Sequence, residues 1–232
     1  MELPSLHRNS HSIVLLAICD ANYMFTFVDI GAYGRRSDGG IFRSSLIGQQ
    51  FHNEEMNLPE PQAILADEIP LPFVIVGDEA FPLSEYLLRS YPGRGGLSQE
   101  RKIYNYRLSR ARRMIESSFG ILCSQWRILR RPIDTTVDTC MKIVQAIICL
   151  HNWLRIKDID HNEYIPSNLI DQDNSYSFIS DTLSSDITDE GALRNITQCG
   201  SNLGSRKAMM IRDTFCHYFN SEGAVPWQFE HC

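Results

Sequence analysis

The chain has 232 residues, enough for one sizeable domain with a further segment. Its hydrophobic content of 43% and charged content of 22% are ordinary for a soluble globular protein. The net charge of -6 gives no overall sign of a nucleic-acid binder, so any such surface has to come from local charge.

The first elements along the chain read as a hairpin. Residues 12–18 form a continuous apolar run between polar residues, which predicts a buried strand. Residues 20–23, Asp-Ala-Asn-Tyr, favour a tight turn. Residues 24–30 are rich in aromatic and β-branched side chains and predict the returning strand. The glycines at 31 and 34 are expected to break it.

Short elements follow around a proline-rich loop. Ser37 and Asp38 can cap a helix that runs to residue 47, although the two glycines after them weaken its first turn. Four prolines between residues 59 and 72 mark a loop that leads to a strand at residues 73–76. The sequence then predicts a short helix over residues 83–88.

Helices dominate the second half of the chain. Apolar positions recur every three or four residues from 104 to 130 and predict a long amphipathic helix that Pro132 ends. Residues 141–154 predict a second, more apolar helix in the core. Residues 158–190 are acidic and rich in Ser, Asp and Asn, which predicts a linker or disorder. A final short helix is predicted over residues 205–219.

The cysteines and the lengths of the apolar runs indicate the cellular compartment in which the protein is expected. The seven cysteines are odd in number and contain no C-x-x-C pair, which favours reduced thiols in a cytosolic or nuclear protein over a disulfide framework or a zinc site. The apolar runs at residues 13–18 and 143–150 are far shorter than the about 20 residues of a membrane span. We expect no signal peptide and no membrane partner.

Asp78 is the strongest candidate for chemistry. The apolar residues 74–76 predict a strand buried on both faces, and Gly77 lets the backbone turn after it. Asp78 would then stand at the carboxyl end of a strand, where open α/β sheets carry their sites. The alternative is a turn-forming aspartate that caps a helix beginning at Phe81.

Glu116 is a second candidate, at the edge of the apolar stripe of the long helix. The alternative is a solvated pairing with Arg112 and Arg113, one turn earlier on the same helix. If Glu116 faced Asp78, two carboxylates beside a basic surface would suit metal-assisted phosphodiester chemistry. Asp38 is weaker because a capping role explains it, and His151 is expected to be a buried core histidine and not a ligand.

The basic residues are concentrated in one region. Residues 101–131 contain nine Lys or Arg and a single acid, whereas residues 158–190 contain nine acids and no Lys or Arg. A solvated helix face needs no partner, but an excess of one sign creates a local field that favours phosphate contacts. The candidate DNA-binding residues are Arg107, Arg110, Arg112, Arg113, Arg127 and Arg130.

Six motifs stand in the same order as in PIF/Harbinger-type transposases, which include the Harbinger transposase-derived nucleases of animals. They are residues 20–23 (DANY), 28–42 (VDIGAYGRRSDGGIF), 77–83 (GDEAFPL), 105–113 (NYRLSRARR), 115–120 (IESSFG) and 150–153 (LHNW). Residues 219–228 (FNSEGAVPWQ) also resemble the C-terminus of this family. The resemblance covers nearly the whole chain.

The resemblance implies an α/β, RNase H-like mixed sheet with flanking helices and a DDE active site. In that site two Asp and one Glu bind two divalent cations, Mg²⁺ or Mn²⁺, for hydrolysis or strand transfer of DNA phosphodiesters. Asp78 matches the second acid and Glu116 the third. Asp38 does not come from the resemblance and is a weaker candidate metal ligand that would stand in for the first acid. The first acid lies on a strand before residues 12–18 in the family, and Glu2 does not match it. We therefore expect an N-terminally truncated domain without its first strand.

The expected organisation is a partial endonuclease domain over residues 1–155, an acidic linker over residues 156–192, and a C-terminal helix and tail over residues 193–232. The expected location is nuclear. The expected partners are DNA, a separate DNA-binding protein and further copies of the chain. Lacking the first acid, the chain is expected to be inactive alone, and the alternative function is a domesticated, non-catalytic module that binds DNA or protein.

Overall fold

The computed structural model describes residues 12–33, 38–64, 70–93, 96–158, 163–165 and 204–230. The elements in chain order are β1 (Ile13–Cys19), β2 (Phe25–Tyr33), α1 (Asp38–Ser44), α2 (Leu46–His52), β3 (Ile75–Val76), β4 (Leu87–Leu88), α3 (Gln99–Gln125), a 3₁₀ turn (Arg127–Arg130), α4 (Val137–Lys157), α5 (Arg206–Asn220) and a second 3₁₀ turn (Pro226–Phe229). None of these helices is both long and apolar enough to span a membrane.

The chain divides into two compact units. The first unit comprises Met1–Arg36 and Arg113–Ile196, and the second comprises Ser37–Arg112 and Thr197–Cys232. The division falls inside α3, so this helix contributes residues to both units. The predicted linker over residues 156–192 lies mostly outside the described residues, and the predicted domain boundaries remain a prediction.

The mixed α/β class predicted from the sequence is confirmed. The described strands form two two-stranded sheets, an antiparallel pair of β1 with β2 and a parallel pair of β3 with β4. A single RNase H-like sheet remains a prediction.

The β1–β2 hairpin of the first unit follows the sequence closely. Asp20 closes its turn, because its Oδ1 accepts hydrogen bonds from the backbone N–H groups of Asn22 (2.8 Å) and Met24 (3.0 Å). The predicted break at Gly31 is wrong, since β2 continues to Tyr33. The pairing register skips Gly31, which has φ +121° and forms a bulge instead of ending the strand.

Helix α4 packs one face into the first unit. Thr136 caps its N-terminus, where the side chain accepts from the backbone N–H of Thr139. Val144, Ile147 and Ile148 are buried with Phe25 of β2, while Leu122 of α3 belongs to the same cluster. The helix predicted over residues 141–154 is confirmed and is longer than predicted.

The second unit packs short elements around α5 and the first part of α3. Its buried cluster includes Leu88, Tyr91, Tyr104, Leu108 and Ile211. The predicted final helix is thus confirmed and contributes to this core.

Two local predictions for α3 and β4 fail. The helix predicted over residues 83–88 is absent, because Leu87–Leu88 pairs in parallel with Ile75–Val76. Helix α3 ends at Gln125, before the predicted end at residue 130. The guanidinium of Arg130 donates to the carbonyls of Cys123 (2.9 Å) and Ser124 (2.7 Å), which satisfies acceptors that the helix end leaves open.

Candidate functional site

Asp78 lies two residues beyond β3, as the sequence predicts. Its side chain is half-buried, and Oδ1 accepts a hydrogen bond from the backbone N–H of Ala80 at 2.8 Å. The backbone N–H of Phe81 also donates to the carbonyl of Asp78, at 3.3 Å. Asp78 therefore forms the turn of its alternative role, but no helix begins at Phe81 for it to cap. This turn fixes one of its two carboxylate oxygens.

The Asp78 loop is held from two sides. Arg89 donates to the carbonyls of Glu79 (3.2 Å) and Phe81 (3.4 Å). A Cβ atom added to Gly39 of α1 would lie 2.7 Å from the carbonyl oxygen of Ala80. The glycine that weakens the predicted first turn of α1 thus permits a close approach of this helix to the loop.

Glu116 is exposed on α3 and belongs to the first unit, whereas Asp78 belongs to the second. Whether the two carboxylates share a cation stays a prediction. Asp38 is the first residue of α1, but its side chain lies outside the described part of the structure.

A metal site of three protein ligands is not found within the described residues, because no group of three or more His, Cys, Asp or Glu side chains comes together there. Two carboxylates alone bind a pair of cations poorly. The part of the chain that the structure describes therefore shows no complete two-metal site, and no catalytic step through a metal follows from it.

Arg107 is used inside the second unit. Its Nη1 donates to the carbonyl of Gly223 (3.1 Å) and to Oε1 of Gln228 (2.9 Å). Its guanidinium carbon also lies 4.5 Å from the ring centroid of Phe219 and 5.2 Å from that of Trp227. Burial lowers the pKa of Arg107 from its usual value. The predicted DNA contact of this residue is untested, and its Nη1 already has protein partners.

The other candidate arginines differ in what they contact. Arg110 lies 4.2 Å from the ring centroid of Trp227, and Arg130 caps the end of α3. Arg127 is exposed, and Arg112 and Arg113 are half-buried on α3. The structure therefore gives Arg107, Arg110 and Arg130 structural contacts that the run of basic residues did not reveal.

His151 is a buried core histidine, which confirms its predicted role. Its Nε2 lies 2.8 Å from the carbonyl oxygen of Tyr23, and its Nδ1 lies 3.0 Å from the hydroxyl of Tyr164. A neutral ring that donates from Nε2 and accepts at Nδ1 satisfies both contacts. Burial lowers the pKa of His151, and the nearby Arg155 lowers it further.

Sequence reasoning missed a polar cluster around Tyr91 in the second unit. The hydroxyl of Tyr91 donates to Oδ1 of Asp213 at 2.5 Å. The guanidinium carbons of Arg212 and Arg101 lie 3.9 Å and 4.8 Å from its ring centroid. Burial, together with the bond to Asp213, raises the pKa of Tyr91. No local pattern could have revealed this cluster, because residues 91 and 213 are far apart in the chain.

The comparison with protein families decides the class of the molecule. The DDE superfamily endonuclease family matches residues 5–152. The chain belongs to this family. The comparisons with curated proteins and with solved structures give no match.

Membership of the DDE endonuclease family gives the site a chemical context. The matched residues include Asp78, Glu116 and His151. Transposases and nucleases of this family act on DNA, typically with a divalent metal. The match ends at residue 152, so α5 and the second 3₁₀ turn lie outside it, although α5 supplies part of the core of the second unit.

Proposed function

We propose that the chain is a Harbinger-type DDE transposase or nuclease domain that acts on DNA phosphodiesters in the nucleus with Mg²⁺ or Mn²⁺. The observation that carries this proposal is the DDE endonuclease match over residues 5–152, which includes both candidate acids. The order of the six Harbinger-like motifs supports the subtype, and the family fold makes an RNase H-like core the proposed architecture.

Asp78 and Glu116 would hold the metal. When bound, divalent cations in such a site activate a water or a 3′-hydroxyl and stabilise the leaving oxygen of the phosphodiester. The chain itself fixes Asp78 through the turn to Ala80, which leaves its second carboxylate oxygen for another contact. Asp38 is a weaker candidate for an additional ligand.

Two acids of a triad make a poor two-metal site, so we expect the 232-residue chain to cleave DNA slowly or not at all by itself. The test combines nicking of supercoiled plasmid with the shift in melting temperature caused by Mn²⁺. Support requires that Asp78→Asn and Glu116→Gln remove the Mn²⁺ shift and any nicking. The matched control Asp134→Asn, which changes an exposed acid, should leave both unchanged. An Mn²⁺ shift that survives both site substitutions contradicts the assignment.

A non-catalytic binding module is the second candidate function. It is favoured by the basic side chains of α3, which can contact phosphates without a metal. DNA binding that survives Asp78→Asn, with no cleavage at any Mn²⁺ concentration, would support the module over the enzyme. DNA cleavage would then be carried out by another protein, and a separate DNA-binding protein or a second copy of the chain would assist DNA binding.

DNA binding by α3 is tested at Arg112 and Arg113. The double change to Ala should weaken binding to duplex DNA and lower the salt slope by about one for each phosphate that the variant no longer neutralises. Arg43→Ala, an exposed arginine on α1, is the matched control and should change neither quantity. An unchanged slope in the double variant would remove these two residues from the proposed DNA surface.

A further inference from the structure

Helix α4 is apolar on two opposite faces. The inner face carries the buried Val144, Ile147 and Ile148 of the first unit. The opposite face is exposed, and it carries an apolar row that we name the outer stripe: Ala146, Cys149, Leu150, Trp153 and Ile156. A surface helix normally turns polar residues to this side, so the core of the first unit does not explain the outer stripe.

The spacing of the outer stripe makes it continuous. Its members follow one another by one or three residues, which places them on one side of the helix over about 15 Å of its length. Leu150 is 44% exposed, Trp153 is 55% exposed and Ile156 is 59% exposed. Contiguous exposed apolar side chains mark interaction surfaces, and Trp is among the residues enriched in binding hot spots.

The charges nearest the outer stripe are positive, and the exposed acid on this side of α4, Asp138, lies one turn before Lys142. Residues 139–157 contain no Asp or Glu, and Lys142 and Lys157 are exposed on the same side of the helix. Arg155 is buried, and its Nη1 lies 3.4 Å from Oδ2 of Asp158. Self-pairing of two copies would bring lysines to a shared interface with no acid on the stripe to offset them. The charges therefore favour an acidic partner over a second copy.

We propose that the outer stripe binds an acidic amphipathic helix of another protein. Apolar side chains of the partner, spaced three and four residues apart, would cover Leu150 and Trp153. Its Asp and Glu side chains would flank this row and face Lys142 and Lys157. The outer stripe includes neither candidate acid, and the proposal does not depend on the nuclease assignment.

The test uses a synthetic helical peptide with Leu at the i, i+3, i+4 and i+7 positions and Glu on both sides, labelled with fluorescein and followed by anisotropy. The full chain should bind it, and Leu150→Asp should weaken binding at least tenfold. Ile128→Asp is the matched control, because Ile128 is 46% exposed in the same unit but lies off α4. Circular dichroism verifies that both variants fold.

A second peptide with Lys in place of Glu tests the charge argument. It should bind at least fivefold more weakly than the acidic peptide, and the difference should shrink as salt rises. The proposal is overturned if the two peptides bind with equal affinity. It is also overturned if Leu150→Asp and Ile128→Asp lose the same amount of affinity for the acidic peptide.

Two further measurements distinguish the other occupants. A concentration-dependent dimer in sedimentation that Leu150→Asp abolishes would assign the stripe to a second copy. A peptide of residues 166–190 that binds the full chain more tightly than the designed peptide, and loses affinity in Leu150→Asp, would assign it to the chain's own acidic segment. Either result overturns the assignment to another protein.

Discussion

Single polar side chains fasten the hairpin turn of the first unit to α4. Asn152 pairs with Phe25 as a neighbouring strand would, since its Oδ1 accepts from the backbone N–H (2.9 Å) and its Nδ2 donates to the carbonyl (2.7 Å). One turn along, Arg155 donates to the carbonyl of Asn22 at 3.1 Å. With His151 on Tyr23, three residues of α4 satisfy backbone groups that the turn leaves open.

The buried His151 should make stability depend on pH. Burial lowers its folded-state pKa below the ordinary 6.5, so the unfolded state binds more protons in weak acid. Its contribution is complete above pH 6.5 and is lost as pH falls below that value. Arg155, the charged group beside the ring, adds to this loss because it repels the protonated form.

The measurement is urea unfolding of the wild type and His151→Gln at about pH 7.5 and about pH 5.5, on either side of the ordinary histidine pKa. Glutamine keeps a donor and an acceptor but does not titrate. We expect the wild type to lose more stability than the variant, by up to about 1.4 kcal/mol per pH unit of titration. His52→Gln changes an exposed histidine and should keep the wild-type loss. Equal losses in the wild type and His151→Gln would contradict the assignment.

Gly39 should resist a substitution that usually stabilises helices. Alanine gains about 1 kcal/mol of helix propensity, but its Cβ would meet the carbonyl of Ala80 at 2.7 Å, so backbone has to move. We expect Gly39→Ala to lower the free energy of unfolding by about 1–3 kcal/mol. Gly93→Ala is the control, because no atom lies within 4 Å of its added Cβ. A stabilised Gly39→Ala would show that α1 does not constrain the Asp78 loop.

At the scale of elements, the sequence predicted the helices and strands that are determined by contacts between residues close together in the chain. The hairpin turn follows from Asp20, and α4 and α5 follow from their apolar residues. The structure adds the N-caps Thr136 and Ser205. The sequence predicts a helix in place of strand β4 because its only strand partner among the described residues, β3, lies twelve positions earlier and no local pattern indicates that pairing. Helix α3 ends at Gln125, where the side chain of Arg130 binds the carbonyls of the last turn. The spacing of apolar residues gives no information about this contact.

The second 3₁₀ turn is anchored by a residue that the sequence did not single out. Gln228 is fully buried, accepts from Arg107 and donates from Nε2 to the carbonyl of Phe219 at 2.8 Å. The run of basic residues predicted a phosphate contact for Arg107. Only the fold shows that its Nη1 donates to Gly223 and Gln228, which are more than 100 positions later in the chain.

Gln228→Leu should therefore destabilise the second unit. The change leaves a half-buried guanidinium N–H and the carbonyl of Phe219 without these partners, and an unsatisfied buried group costs about 1–3 kcal/mol. We expect the free energy of unfolding to fall by about 2–4 kcal/mol and amide exchange to rise in α5. Gln49→Leu on α2, where the glutamine is exposed, should be nearly neutral. A neutral Gln228→Leu would mean that Arg107 is available for other partners.

On the scale of the whole molecule, the candidate site is the least predictable part. Asp78 could be placed at a strand end from sequence, because an apolar run followed by Gly-Asp is a local signal. Its relation to Glu116 is not local, since the two residues belong to different units. The family match supplies the class of chemistry, whereas the core of the second unit also depends on α5, beyond the matched residues.

Helix α3 should couple the unfolding of the two units, because Tyr104 and Leu108 belong to the core of the second and Leu122 to that of the first. Ala111 is exposed just before the division, so proline there breaks the helix without removing a buried side chain. We expect one cooperative transition in urea for the wild type and two for Ala111→Pro, with lower amide protection around residue 111. Ala111→Gly costs about 1 kcal/mol of helix propensity but keeps the backbone hydrogen bond, and it should retain a single, slightly shifted transition. A single transition in Ala111→Pro would show that the units are coupled by something other than this helix.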